Sequence, residues 1–337
     1  MKRSSIFQSK IFEQLIMLGL RPLRSLIIRY GTRARLSVLI YHRVLPTTDP
    51  MLQGQINAAD FHQQMSILAK NFCVLPLSDA VTKLQSETLP AKAVSITFDD
   101  GYADNVEVAL PILQQWQLPA TFFISTGFLD GGCMWNDAVI EAVRVAPGPF
   151  LDLSDMNLGK FDVRSISQRQ QTIQRLIAKL KYLPQEERGM KAASVARSAG
   201  AKLPDNLMMS SDQVRLLSAA GMEIGGHTVN HPILSGLSES VTRDEIMQGR
   251  KMLEEITGKP VHLFAYPNGT PGLDYTSEHI KLLKELGFFA AVSTAYGAAT
   301  SDGDCYQMPR FTPWDTDEIR FTLRLLKNCL RRKVTAV

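Results

Sequence analysis

The chain of 337 residues is long enough to bury one large core or two ordinary ones, and 45% hydrophobic with 21% charged residues excludes wholesale disorder. The net charge of +4 is unevenly spread: residues 1–35 carry Lys2, Arg3, Lys10, Arg21, Arg24, Arg29, Arg33 and Arg35 against Glu13 alone, so the remainder is mildly acidic. Cys73, Cys133, Cys305 and Cys329 form no C-x-x-C pair, which argues against thiolate zinc or a disulfide framework and leaves mostly buried free thiols in a reducing compartment.

Residues 1–35 read as a basic amphipathic segment with Ile6, Phe7, Ile11, Phe12, Leu15 and Ile16 on its apolar side. Such a stretch suits an anionic membrane surface or a helix packed on the body. The apolar run at 15–20 is interrupted by Gly19, is followed by Arg21 and lacks a small-x-small site, so it does not read as a secretory leader. No stretch approaches the ~20 apolar residues of a spanning helix. A cytoplasmic protein, or one held peripherally at the inner membrane face, is the expectation.

Residues 36–41 (LSVLIY) form a near-continuous apolar run, as expected of a strand covered on both faces. Phe61, Met65 and Leu68 predict a helix over 59–70. A strand follows at 72–77, with Ser78 as N-cap of a helix to about Gln85. Strands are predicted at 93–98, 120–125, 222–225, 263–266 and 288–293, and helices at 105–117 (despite Pro111), about 242–257 and 277–286. Alternation of this kind argues for a parallel α/β fold. A barrel is favoured because the chemically loaded residues fall just after strands. Residues 137–209 break the rhythm, with no good strand and two helices at about 165–182 and 186–198. They read as a helical insertion that covers the mouth, mediates self-association or only elaborates the packing. Residues 36–314 would hold the barrel, and residues 315–337 a C-terminal helix.

Thr97-Phe98-Asp99-Asp100-Gly101 ends a strand with adjacent carboxylates, which the turn at Gly101 can aim into one cavity. Two carboxylates there repel unless a cation or proton offsets them; an aspartate capping the next helix is the plainer alternative. Gly226-His227-Thr228-Val229-Asn230-His231 supplies a cation holder, since histidines at i, i+4 on a helical turn present both imidazoles to one side. One carboxylate and two imidazoles leave coordination positions open, as in a catalytic rather than a structural metal site. The metal would acidify water and the second carboxylate would take its proton.

These segments resemble the polysaccharide deacetylases of carbohydrate esterase family 4, with their T-F-D-D-G strand end and H-[ST]-x-x-H motif. The likeness runs over most of residues 36–311 and includes Tyr41-His42-Arg43-Val44, Ala120-Thr121-Phe122-Phe123 and Phe264-Ala265-Tyr266-Pro267-Asn268-Gly269. The resemblance implies a distorted (β/α) barrel that removes acetyl groups from glycans. It makes Asp99 the base and Asp100, His227 and His231 ligands of a divalent ion, zinc first, with cobalt or nickel as substitutes. It makes the Tyr266 N–H the oxyanion donor, in a turn fixed by Pro267 and Gly269.

Two positions depart from the pattern. The Arg that orients the base in many members is replaced by Phe264, and Arg310 is the candidate to reach Asp99 instead. No histidine follows residue 290, so His42 is the candidate general acid. His62, His262 and His279 read as structural or exposed. Trp135, Tyr102 and Pro267 are assigned to substrate binding, Trp135 foremost as a platform for sugar rings, with Tyr266 and Trp314 as further aromatics. An acetylated glycan is the expected partner, most simply one of exopolysaccharide or cell-envelope metabolism. The alternatives are cleavage of another C–N or ester bond, and a glycan-binding relic or assembly component. No nucleic-acid motif appears.

Overall fold

A computed structural model describes residues 35–52, 54–329 and 335–337. The expected basic segment lies outside the described residues except for Arg35. Among the described residues no helix is long and apolar enough to cross a membrane.

Seven strands among the described residues close a barrel: β1 (Arg35–Tyr41), β2 (Ala93–Phe98), β3 (Thr121–Ile124), β4 (Glu223–Gly226), β5 (Leu263–Ala265), β6 (Ala290–Tyr296) and β7 (Met308–Phe311). Each runs parallel to the strand before it, and β7 closes on β1, with Val38 opposite Arg310. Every residue of β2 is buried, as expected of a strand with both faces covered, and the two polar ones are satisfied there: Ser95 Oγ donates to the Leu75 carbonyl at 3.0 Å and Thr97 Oγ1 to the Leu39 carbonyl at 2.6 Å. The expected strand at 72–77 is only Cys73–Val74, which fills the gap beside the start of β2. Ser78 is not the cap of its helix. The helix Leu77–Gln85 starts after Pro76, and the Glu223 carboxylate at the foot of β4 accepts from the Leu77 N–H at 2.7 Å. The expected helix at 105–117 opens as a π-turn, Asn105–Ala109, and continues as Leu110–Gln115, with Pro111 at the junction between the two.

Aromatic rings floor the end of the barrel where β1 and β2 finish. Phe98 stacks on Phe122 with centroids 4.7 Å apart, and Tyr41 on Phe98 at 5.3 Å. Phe61, from the helix Ala58–Asn71, packs edge-on against both Tyr41 and Phe98. Each such ring contributes roughly 1.5–3 kcal/mol through burial. His42 and Asp99 follow this layer directly, so the site stands on a dense part of the core. The helix Glu318–Cys329 buries Phe321 and Leu325 in the same core.

The insertion has a hydrophobic cluster of its own, including Val143, Leu153, Leu176, Leu180 and Val195. Its helices are Trp135–Val145, Ile166–Leu180 and Gln185–Ser198, the second opened by a capping box of Ser165 and Gln168. It also holds an antiparallel hairpin, Phe150–Leu153 with Gly159–Asp162, where no strand was expected. Only two buried residues alternate along Phe150–Leu153, too short a period to register in the sequence. No disulfide forms, and three of the four thiols are half-buried rather than buried: Cys73, Cys133 and Cys305.

Candidate metal centre

β2 delivers both aspartates to the barrel mouth. The Asp99 N–H donates to the Tyr41 carbonyl at 3.0 Å, which keeps its backbone in line with β1. Asp100 and Gly101 then take φ values of 78° and 91°, and this left-handed pair swings the two carboxylates apart. At Gly101 any side chain is barred twice: its conformation is left-handed, and a Cβ would stand 2.9 Å from the Ile124 Cγ2.

His227 and His231 lie on a loop beyond β4, not on the expected helical turn. Their convergence comes from Thr228 and His231 at φ 66° and 50°. The His231 N–H donates to the Thr228 hydroxyl at 3.1 Å, and the imidazole centroids stand 4.8 Å apart. Glu245, from the helix Glu239–Thr257, clamps the loop by accepting from the Val229 and Asn230 N–H groups at 3.0 and 2.8 Å and from the Asn230 amide at 2.7 Å. Gly249 lets that helix approach; a Cβ there would stand 2.9 Å from the Thr228 carbonyl. Neither residue carries a sequence signal, because an acid and a glycine on a long surface helix look ordinary.

The three expected ligands meet. Asp100 Oδ1 lies 3.4 Å from His227 Nε2 and 3.3 Å from His231 Nε2. His227 Nδ1 sits 2.7 Å from the Ala265 carbonyl, which can only accept, so Nδ1 carries a proton and Nε2 is the atom turned to Asp100. Asp100 Oδ1 is buried without a hydrogen-bond partner. Burial is the largest influence on Asp100 and raises its pKa. The His227 contact and the charges of His231 and His42 outweigh it, so the carboxyl is held well below its ordinary range. For His231 burial wins and lowers the pKa to about 4, which leaves a neutral imidazole. For His227 burial also lowers the pKa, but the contact with Asp100 and the charges of Asp99 and Asp100 outweigh it and raise the value. A buried, ionised oxygen facing two imidazole Nε2 atoms fits a divalent cation of the zinc type, which would take the place of the His227 proton.

Asp99 is held differently. Arg310 reaches it from β7 as a bidentate pair, Nη1 to Oδ1 at 2.7 Å and Nη2 to Oδ2 at 2.6 Å, with Nε on the Ser293 carbonyl at 2.9 Å. Phe264 fills the alternative position as a buried ring against Phe288 and Tyr266. Burial pushes the Asp99 carboxyl up, but the Arg310 guanidinium, with help from His227 and His42, brings it below the usual range. His42, half-buried after β1, thus stands within electrostatic reach of both aspartates, and its carbonyl accepts from the Asn105 amide at 2.8 Å.

Other expected site residues are placed elsewhere. The Tyr266 N–H donates to the Val292 carbonyl at 3.2 Å and so is not free for an oxyanion; its ring is buried, stacked 3.8 Å from Tyr275. Pro267 is buried as well. Tyr102 is 3% exposed, lies under the Arg43 guanidinium and donates to Asp137 Oδ2 at 3.1 Å, so it offers no face to a sugar. Trp135 is half-buried against the insertion, with the Arg188 guanidinium over its ring. Trp314 is the exposed aromatic of the set. Two residues beside Tyr102 were not anticipated: Asp104, paired with Arg43 at 2.7 Å, and Asp137, whose carboxyl burial pushes up to about 7.

A family profile described as polysaccharide deacetylase matches residues 86–147 and 163–291, more than half of the chain. The matched stretches contain Asp99, Asp100, His227 and His231, whereas His42 and Arg310 lie outside them. YxkH of Bacillus subtilis (strain 168) is 21% identical over 82% of this chain and 71% of its own length. Among solved structures, the Streptococcus pyogenes deacetylase PplD in complex with acetate is similar at TM-score 0.56 and 20% identity, covering 83% of this chain and 93% of that one. A de-N-acetylase from Aggregatibacter actinomycetemcomitans is similar at TM-score 0.53 and 18% identity, covering 86% of this chain and 99% of that one.

Proposed function

The chain belongs to the polysaccharide deacetylase family, a family of hydrolases, and we propose that it removes N-acetyl groups from a glycan with the help of a divalent metal ion. The observation that carries this reading is the buried, unpartnered Asp100 Oδ1 facing the His227 and His231 Nε2 atoms at 3.4 and 3.3 Å. Zinc, with cobalt or nickel as substitutes, would be held by these three residues and would supply Lewis acidity at the mouth of the barrel. The other roles fall to the chain itself. Asp99, kept as a carboxylate by Arg310, takes a proton from the water that attacks the acetyl carbonyl. His42 gives a proton to the departing amine nitrogen, so the products are acetate and a free amino sugar. The acetate in the PplD structure and the description of the Aggregatibacter protein as a de-N-acetylase both favour an acetyl amide.

Acetate release from N-acetylglucosamine oligomers, compared with acetylated xylan and with zinc, cobalt or nickel added, tests the reading. Metal-dependent release from the oligomers is expected. Release from xylan alone would move the assignment to an ester, and release unaffected by chelation would remove the metal from it. For residues 1–35 we propose peripheral contact with anionic membrane, which suits a glycan of exopolysaccharide or envelope metabolism met on a membrane-linked precursor.

A further inference from the structure

The insertion helix Gln185–Ser198 begins after Pro184 with no side chain capping its first N–H groups. This end of the helix faces the segment that follows His231. Tyr182, Gln185 and Arg188 on one side, with Pro232, Ser235 and Leu237 on the other, line a groove of about 280 Å³. The groove therefore reaches Pro232, the residue that follows His231 in the chain. Among its lining residues Arg188 alone is charged.

Arg188 is 3% exposed, yet no carboxylate pairs with it among the described residues. Its one hydrogen bond there runs from Nη1 to the Lys181 carbonyl at 3.1 Å, and its Nε is buried without a partner. Burial accordingly lowers its pKa with no opposing acid. The acids of the first helical turn do not serve it: Glu187 pairs with Lys191 at 3.3 Å, and Glu186 is exposed. The guanidinium carbon stands 5.1 Å from the Trp135 ring centroid, a cation–π contact that uses none of its N–H groups. A buried cation without a counter-charge is costly to keep. The uncapped helix end adds partial positive charge at the same groove.

We propose that this groove is an anion-recognition subsite in which Arg188 binds a carboxylate or phosphate carried by the acetylated glycan, next to the sugar being deacetylated. The proposal rests on the deacetylase reading for the identity of the ligand. It assigns the insertion a part in substrate selection and gives Trp135 the role of supporting Arg188 rather than a sugar ring.

The test uses the full chain and three probes: a neutral N-acetylglucosamine tetramer, a tetrasaccharide alternating N-acetylglucosamine with glucuronate, and UDP-N-acetylglucosamine. Dissociation constants from calorimetry are measured beside acetate release. The wild-type protein should favour one anionic probe over the neutral tetramer by about tenfold or more, as a charge-assisted pair implies. Which probe is favoured identifies the carboxylate or the phosphate. Arg188→Met should abolish the ratio and Arg188→Lys should keep part of it. Equal binding of all probes by the wild type, or an unchanged ratio in Arg188→Met, overturns the proposal. Glu13 is the only acid in residues 1–34. A preference that emerges only in Glu13→Gln would assign the groove to that residue and also overturn it. Discrimination in binding without acetate release would sink the deacetylase reading and leave the subsite standing; release without discrimination would do the reverse.

Discussion

Arg310→Met removes a guanidinium that donates to Asp99 at 2.7 and 2.6 Å, to the Ser293 carbonyl at 2.9 Å and to Thr97 Oγ1 at 3.2 Å. The two side chains are 0% and 3% exposed, so water cannot replace what is lost. At this separation and an effective dielectric of about 20 the gross attraction is about 6 kcal/mol. Desolvation offsets part of it, and stranding one buried charge costs about 3–5 kcal/mol net. Urea unfolding at pH 8 should therefore show a loss of that size. In the wild type the folded Asp99 pKa lies below its unfolded value, so its contribution is present above the unfolded pKa of about 4 and fades as pH falls through the folded one. In the variant burial dominates and raises the folded pKa, so the penalty is largest at high pH and shrinks toward pH 4. Acetate release should fall at least about 100-fold, since a protonated Asp99 accepts no proton. The double variant Asp99→Asn/Arg310→Met strands no charge and should recover more than half of the lost stability. Equal stability of Arg310→Met and wild type at pH 8, or a double variant no better than the single one, would refute the reasoning.

Glu245→Gln weakens the clamp on the histidine loop, so metal affinity should fall about 10–100-fold with little change in the unfolding midpoint; a midpoint shift without an affinity change would contradict this. Burial pushes the Asp137 carboxyl up to about 7, so the folded state holds a proton that the unfolded state releases, and wild-type stability declines as pH rises from about 4 to 7. Asp137→Asn keeps an acceptor for Tyr102 and should gain about 2–3 kcal/mol relative to wild type between pH 5 and 8; melting curves with a constant offset would count against it. Deletion of residues 1–34 should reduce recovery on anionic vesicles at low salt to the level seen with neutral vesicles, and unchanged recovery would dismiss the membrane proposal.

Much of the barrel is legible in the sequence because parallel strands covered on both faces are mostly apolar, as in LSVLIY and AVSITF. Asp99 and Asp100 stand out for a local reason, the glycine that follows them. Arg310 is legible only through the family resemblance, which places Phe264 where many members have the Arg that orients the base; the structure then shows Arg310 paired with Asp99. The histidine pair is found for the wrong reason. Its i, i+4 spacing suggests a helical turn, whereas two left-handed residues and a distant glutamate shape the loop. Tyr266 fails as an oxyanion donor because strand pairing with β6 already uses its N–H. Tyr102 and Tyr266 fail as sugar platforms because composition does not tell a buried ring from a presented one. Arg188 is one of many arginines until the structure shows it buried and unpaired.

A divalent-metal centre at Asp100, His227 and His231 is tested most directly by the metal content of the full chain and of Asp100→Ala, measured after dialysis against trace zinc and by cobalt titration. It predicts one tightly held ion per chain in the wild type and a loss of at least about 100-fold in affinity in the variant, with the fold intact by circular dichroism. Equal metal content in the two proteins, or a folded wild type that takes up no divalent ion, would contradict it.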